Sequence, residues 1–221
     1  MNRCSNEIFQ FTWNPVVGCK RKCPYCAAWA DYKKPFPEAR WEDPVFIADR
    51  LETPKFRKKP ANVLVCSVGD LFGDWVAEDK IQKVVDVIRH CRQHWFFLLT
   101  KNPKRYLNFE FPKNVWLGST IEDASLLDER ASSLLSSDCK GHRWISYEPL
   151  LSDMPYIPEV DWIVIGSPRN PMAPFPDRIW IKNIVTKASG MGIPVYLKNS
   201  IFWETELKQL PEPIFKQEPK S

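Results

Sequence analysis

Short apolar runs alternate along the chain with segments in which apolar residues recur every three or four positions. Seven of the runs predict β-strands. They span Phe9–Trp13, Asn62–Cys66, Trp95–Thr100, Val115–Ser119, Arg143–Tyr147, Trp162–Ile165 and Pro194–Leu197. Several are almost continuously apolar, such as WFFLL and WIVI, which is typical of parallel strands buried on both faces.

Three segments between the strands predict amphipathic helices. Their apolar positions are Ile81, Val84, Val85, Ile88 and Cys91; then Leu127, Ala131, Leu134 and Leu135; then Ile181, Ile184, Val185 and Ala188. A further helix is expected over Val45–Leu51. Repeated strand–helix units of this length predict an α/β fold with a parallel sheet. We expect a partial (β/α) barrel of about six or seven parallel strands, with a doubly wound open sheet as the alternative.

The length of 221 residues suits a single domain. Residues 1–203 are expected to form the barrel domain, and residues 204–221 a charged, proline-containing C-terminal tail. No apolar run approaches the roughly 18 residues of a membrane helix, and the N-terminus lacks a signal-peptide core, so we expect a cytoplasmic protein without membrane association. The net charge of +4 permits an anionic partner without requiring one.

Small, polar and charged residues follow the predicted strands. They include Ser67, Gly69, Asp70, Lys101, Ser119, Thr120, Glu122, Glu148 and Lys198. Because the carboxyl ends of parallel strands meet at one edge of a sheet, these residues are expected to line the mouth of an active site. Strand ends also need turn residues, which explains Gly and Ser. Glu148 and Lys198 are harder to explain in that way, since each directly follows an apolar strand.

Three of the seven cysteines lie within eight residues of one another. Cys19, Cys23 and Cys26 form a C-x3-C-x2-C motif, with Tyr25 just before the last cysteine. Three thiolates this close can converge on one centre, and soft sulfur ligands select zinc, copper(I) or iron–sulfur clusters. A structural zinc site would want a fourth ligand, which Cys4 or Cys66 could supply. An odd number of cysteines without a secretory signal argues against a disulfide framework.

This spacing, in the loop after the first strand, resembles the signature of the radical S-adenosylmethionine (SAM) superfamily. The phrases FTWNPVVGC, SVGDLF, LLTKNPKR, NVWLGSTIED, SYEPLL, DWIVIGS and GIPVYLKN are also similar, in the same order, to motifs of the phage-type Gp37/Gp68 family, also called DUF5131. This resemblance covers nearly the whole chain. It differs in two places: the family commonly has a longer gap between its first two cysteines, and its usual Gly-Gly-Glu reads Gly166–Ser167–Pro168 here.

The superfamily resemblance implies an enzyme in which Cys19, Cys23 and Cys26 hold a [4Fe–4S] cluster. Such a cluster binds SAM at its open iron and cleaves it reductively to methionine and a 5′-deoxyadenosyl radical, which abstracts hydrogen from a substrate. The expected electron donor is a reducing flavodoxin or ferredoxin. Lys20, Arg21 and Lys22, between the cysteines, could stabilise the reduced cluster or dock that donor.

The resemblance also implies a SAM pocket. Ser67, Gly69 and Asp70 are candidates for the SAM amino group, Ser119 and Glu122 for its ribose and carboxylate, and Lys101, Glu148 and Lys198 for further contacts. Two alternatives stay open: a metal-stabilised α/β binding module with zinc or iron–sulfur, and an enzyme that modifies nucleic acid. The substrate class is therefore a small molecule or a nucleic acid.

Overall fold

The structure is a computed structural model that describes residues 1–4, 6–26, 28–29, 41–168 and 175–214. The strands in these ranges are β1 (Asn2–Arg3), β2 (Phe11–Trp13), β3 (Val16–Val17), β4 (Val45–Phe46), β5 (Asn62–Val65), β6 (Trp95–Thr100), β7 (Glu110–Phe111), β8 (Val115–Thr120), β9 (Asp138–Cys139), β10 (His142–Tyr147), β11 (Trp162–Ile165) and β12 (Val195–Leu197). The α-helices are α1 (Glu78–His90), α2 (Leu127–Leu135) and α3 (Arg178–Gly190). Short 3₁₀ helices cover Ala48–Arg50, Thr53–Phe56, Pro103–Asn108 and Ala124–Leu126.

Eight strands form one large, mostly parallel sheet in the order β1-β2-β5-β6-β8-β10-β11-β12. β1 runs antiparallel to β2, and the remaining neighbours are parallel. All seven predicted strands belong to this sheet in chain order, so the predicted α/β class is confirmed. Among the described residues no ladder joins β12 to β1 or β2, and the sheet is therefore not a closed barrel.

The sheet curves strongly around the side chains on one of its faces. Phe97 on β6 and Trp162 on β11 are three strands apart, which would separate them by roughly 14 Å in a flat sheet. Their ring centroids are only 6.3 Å apart. We call this inner group the aromatic cluster; its members are Phe9, Phe97, Trp116, Trp144, Trp162 and Tyr196. Alternate residues of the same strands, such as Leu98 and Ile145, lie in the larger core on the other face.

The three predicted helices are present, and their apolar stripes are buried in that larger core, except that Leu135 is exposed and Val185 is only partly buried. The predicted helix over Val45–Leu51 is wrong. Val45–Phe46 instead pairs with Val16–Val17, and the Ile47 amide donates to Pro15 O at 2.8 Å. The backbone groups that a helix would use are therefore committed to the segment just before the first motif cysteine, and only a short 3₁₀ helix follows.

The described part of the predicted C-terminal tail packs along β12. The Leu197 amide donates to Leu207 O at 2.8 Å, and the Trp162 indole donates to Gln209 O at 2.9 Å. Glu7, from the start of the chain, accepts from Lys208 Nζ at 2.9 Å. Both chain ends therefore contribute to the edge of the sheet at β12. No helix in the described part of the chain has the length and apolar character needed to cross a membrane.

Candidate functional site

A cavity of about 510 Å³ lies over the carboxyl edge of the curved sheet. Its wall contains at least one inner-facing residue from each of six strands, among them Thr12, Leu64, Leu99, Thr120, Ser146 and Val164. Phe9 and Trp144 of the aromatic cluster also line it, so the cavity extends from an apolar floor to a polar rim. On the inner face of the sheet, the tryptophans thus lie near the starts of the strands and the polar residues lie at their ends.

The cysteine loop, residues 18–26, is held against the neighbouring strand end by backbone contacts. The Gly18 amide donates to Val68 O at 2.9 Å, and the Cys19 amide donates to Trp41 O at 2.8 Å. Gly18 has φ of +92°, and a Cβ there would lie 2.8 Å from Trp41 O. A Cβ on Gly69 would lie 2.9 Å from Gly18 O. The two glycines therefore permit a close approach that a side chain at either position would block.

Asp70 is a buried carboxylate that ties the cysteine loop to β6. Its Oδ1 accepts from Thr100 Oγ1 at 2.6 Å and from the Phe72 amide at 3.1 Å. Its Oδ2 accepts from Arg21 Nε at 3.3 Å. The structure thus shows Asp70 in contact with protein groups, one of them within the cysteine loop, and the residue does not line the cavity.

Glu122, just after β8, is the centre of a second buried network. The Tyr25 hydroxyl donates to Glu122 Oε1 at 2.6 Å, the Lys101 ammonium contacts the same oxygen, and Arg130 contacts Oε2. Lys101 Nζ also donates to the Tyr25 hydroxyl at 2.8 Å. Burial alone would raise the pKa of Glu122, but the charge and hydrogen bonds of Lys101, with those of Tyr25 and Arg130, lower it below its usual value. Two cations share one carboxylate, so the network carries a net positive charge beside the cysteine loop.

Two of the three motif cysteines face the cavity. Cys23 and Cys26 line it, and the Cys26 amide donates to Cys23 O at 3.1 Å. Cys19 is buried, and its Sγ accepts from the Arg21 amide at 3.4 Å. Burial above all, then the negative charges of Asp70 and of the other two cysteines, raises the pKa of Cys19 to about 11.

The three motif cysteines are also the candidate metal ligands of this site. Within the described ranges no three Cys, His, Asp or Glu side chains form a ready metal-holding group. Cys19, Cys23 and Cys26 nevertheless supply three sulfurs on one loop, and thiolates are the ligands that soft metal centres prefer. Cys19, Cys23 and Cys26 could therefore hold such a centre at the cavity wall.

An ion pair lies on the other side of the cavity. Lys198, after β12, pairs with Glu148, after β10, and both line the cavity. β11 runs between these two strands, and Gly166 at its end leaves the space that Glu148 crosses. A Cβ on Gly166 would lie 2.8 Å from Glu148 Oε1. We call Glu148 and Lys198 the distal pair.

The structure thus brings most of the predicted site residues to one place. Cys23, Cys26, Ser67, Lys101, Glu148 and Lys198 line the cavity, and Cys19, Gly69, Asp70 and Glu122 support the loop above it. Ser67 Oγ donates to Asn14 Oδ1 at 3.2 Å. Ser119 is the exception, because it faces the larger core and Thr120 lines the cavity in its place. Side chains alternate between the two faces of a strand, so Ser119, three residues after the inward-facing Trp116, must face the other way. This could have been read from the sequence.

Arg130 is the functional candidate that sequence reasoning missed. It lies on α2, three residues after the buried Leu127 and four before the buried Leu134. A charged residue at helical spacing within an apolar stripe is a signal of a buried ion pair, and that signal was available in the sequence. Its partner Glu122 could not be named in the same way, because it lies before the helix in an irregular segment.

A family model described as "Protein of unknown function (DUF5131)" matches residues 4–213. None of the curated proteins and none of the solved structures matches the chain. The match spans seven of the eight strands of the curved sheet, the cysteine loop and the distal pair, and the family description names no activity. By sequence, the chain belongs to the DUF5131 family.

Proposed function

We propose that the chain is a radical SAM enzyme, in which Cys19, Cys23 and Cys26 hold a [4Fe–4S] cluster. When bound, that cluster would supply the electron that cleaves SAM to methionine and a 5′-deoxyadenosyl radical, which then abstracts hydrogen from a substrate. One observation carries the proposal: a C-x3-C-x2-C loop lies at the carboxyl edge of a parallel sheet, directly beside a cavity that two of its cysteines line.

The size and lining of the cavity support this function. Its volume of about 510 Å³ falls within the roughly 300–1,000 Å³ of small-molecule sites. Leu64, Leu99, Val164 and Phe9 make much of its wall apolar, which favours the exclusion of water from a reactive intermediate. The polar groups are concentrated at the rim, where a cofactor and a substrate would meet.

The chain's own residues would hold the cysteine loop in place and orient the groups bound there. Tyr25, fixed by Glu122, and Arg21, fixed by Asp70, keep the cysteine loop against the strand ends. Lys101 presents an ammonium group at the cavity wall, where it opposes the rise that burial causes in the pKa of the Cys26 thiol. The pKa of Cys26 stays raised overall, so a cation bound on the loop would have to displace the thiol proton, as metal binding to cysteine does.

The surface of the cysteine loop suits an acidic electron donor. Lys20 and Lys22 are exposed between the cysteines, while Arg21 is turned inward to Asp70. Complementary charge steers the encounter of two proteins and is weakened by salt. A reducing flavodoxin or ferredoxin is therefore the partner that belongs to this proposal.

The experiment is anaerobic reconstitution of the full chain with iron and sulfide, followed by metal analysis and electron paramagnetic resonance (EPR) before and after SAM is added. We expect about four irons and four sulfides per chain, and a reduced signal that SAM alters. The Cys23→Ala variant should lose the cluster, and Cys139→Ala, a half-buried cysteine on β9, should keep it.

Two results would count against the proposal. Tight retention of zinc with no iron–sulfur cluster would favour the alternative, a metal-stabilised binding module. A complete, reducible cluster whose signal does not respond to SAM would point to electron transfer without SAM chemistry.

A further inference from the structure

The charged groups on the two sides of the cavity differ in what they contact. On the cysteine side, Lys101 and Glu122 contact each other and Tyr25, and Glu122 also contacts Arg130. On the other side, Glu148 and Lys198 form a simple pair, and among the described residues neither has a second ion-pair partner. Their side chains remain 26% and 18% exposed, on the cavity. The distal pair can therefore take up hydrogen bonds from a ligand.

The charge of the distal pair selects the kind of group it can bind. Lys198 has only donor hydrogens and Glu148 has only acceptor oxygens. A lone anion would be repelled by Glu148, and a lone cation by Lys198. A group that offers an acceptor and a donor side by side satisfies both residues at once, and an amide edge with adjacent C=O and N–H has this pattern.

The apolar floor of the same cavity limits the kind of ligand further. Leu64, Leu99 and Val164 face the cavity, together with the rings of Phe9 and Trp144. Apolar and aromatic surfaces of this kind pack against flat rings. A zwitterion such as a free amino acid would lose the hydration of two full charges there, whereas a neutral cyclic amide loses much less.

We infer that the distal pair is a substrate subsite for a neutral, planar cyclic amide, the edge that a nucleobase such as uracil presents. Lys198 donates to the ring carbonyl, Glu148 accepts the ring N–H, and the ring lies over the apolar floor. This inference rests on the proposed function in one respect, since it assigns the cofactor to the cysteine side and the substrate to the distal side.

The test is isothermal titration calorimetry on the full chain with uridine as the probe. The comparison ligand is 3-methyluridine, in which a methyl group replaces the N–H. We expect uridine to bind about tenfold more tightly or better, because the methylated ring leaves the Glu148 carboxylate unpaired. Phenylalanine, as a zwitterion with an apolar ring, should bind more weakly than uridine. Equal binding of uridine and 3-methyluridine, or tighter binding of phenylalanine, would overturn the inference.

Variants separate recognition from folding. Glu148→Ala and Lys198→Met should each weaken uridine about tenfold while their thermal unfolding stays near that of the wild type. Lys182→Met, at an exposed position on α3, is the matched control and should bind as the wild type does. If both site variants fold and bind uridine normally, the subsite is not at the distal pair.

Two further measurements keep this inference distinct from the proposed function. Uridine should still bind the Cys19→Ala, Cys23→Ala, Cys26→Ala triple variant, so a failure of SAM chemistry would not affect this assay. Loss of SAM binding in Lys198→Met would instead assign the pair to the cofactor and contradict the inference. A short single-stranded oligouridine then identifies the source of the base: tighter binding than uridine indicates a base within a strand, and weaker binding a free nucleoside.

Discussion

The two sides of the cavity are built from the same residue types in different ways. On the cysteine side, Glu122 is buried and contacts two cations and Tyr25, and Asp70 is buried and contacts Arg21. On the distal side a single pair is partly exposed to the cavity. The difference teaches that charge on the cysteine side fixes the position of a loop, whereas charge on the distal side is available to a ligand.

The strongest test of this comparison removes the carboxylate at the centre of the cysteine side. Glu122→Ala leaves Lys101 and Arg130 buried without their partner, which costs about 3–5 kcal/mol of the free energy of unfolding. Urea unfolding of the metal-free chain measures the loss. A change below about 1 kcal/mol would show that the network is not what holds this side together.

Acid should weaken the same network, by less, because a protonated carboxyl still forms hydrogen bonds. The pKa of folded Glu122 lies below its ordinary value of 4.5. Its contribution is therefore fully present above pH 4.5 and is lost as the pH falls through the lowered folded pKa. Unfolding free energies measured from pH 6 downwards should show this loss in the wild type and not in Glu122→Gln. Parallel curves for the two proteins would contradict the assignment.

On the distal side a glycine tests how the pair is accommodated. Gly166→Ala places a methyl group 2.8 Å from Glu148 Oε1, so this flexible side chain must move away from its place beside Lys198, at a cost of about 1 kcal/mol. Gly190 is the matched control, because nothing lies within 4 Å of a Cβ there and Gly190→Ala within α3 should be neutral or slightly stabilising. Thermal unfolding of both variants checks this; equal effects would mean that Gly166 is not kept small for Glu148.

The smallest expected change in the free energy of unfolding is that of Glu148→Ala, and it separates the two sides of the cavity most clearly. Glu148→Ala should change the free energy of unfolding by no more than about 1 kcal/mol, because the pair is partly exposed. Urea unfolding beside Glu122→Ala gives the contrast directly. A loss as large as that of Glu122→Ala would make the distal pair structural and leave the two sides equivalent.

Most of the fold could be predicted from the sequence because buried parallel strands and amphipathic helices have distinct patterns. The run WIVI gives β11 with its observed bounds, Trp162–Ile165, and the stripe from Leu127 to Leu135 gives α2. The helix predicted over Val45–Leu51 was wrong because the conformation of this segment depends on pairing with Val16–Val17, almost thirty residues away. Local periodicity cannot show such a partner.

The candidate site was predictable in its members more than in their roles. The carboxyl ends of parallel strands meet at one edge of a sheet, and this rule depends only on strand direction. It placed Lys101, Glu122 and Glu148 at the same edge as the cysteines. It could not show that Glu122 binds Tyr25 and Arg130, because these contacts join the cysteine loop, the segment after β8 and the middle of α2. Burial and pairing of charges are properties of the assembled sheet.

The proposed function requires the cysteine loop to support SAM cleavage at this cavity. The most direct measurement is 5′-deoxyadenosine formed per chain after anaerobic reconstitution, reduction with dithionite and addition of SAM, followed by mass spectrometry. We expect 5′-deoxyadenosine from the wild type and from Cys139→Ala, and none above background from the Cys19→Ala, Cys23→Ala, Cys26→Ala variant. A fully loaded, reducible wild-type protein that forms no 5′-deoxyadenosine would contradict it.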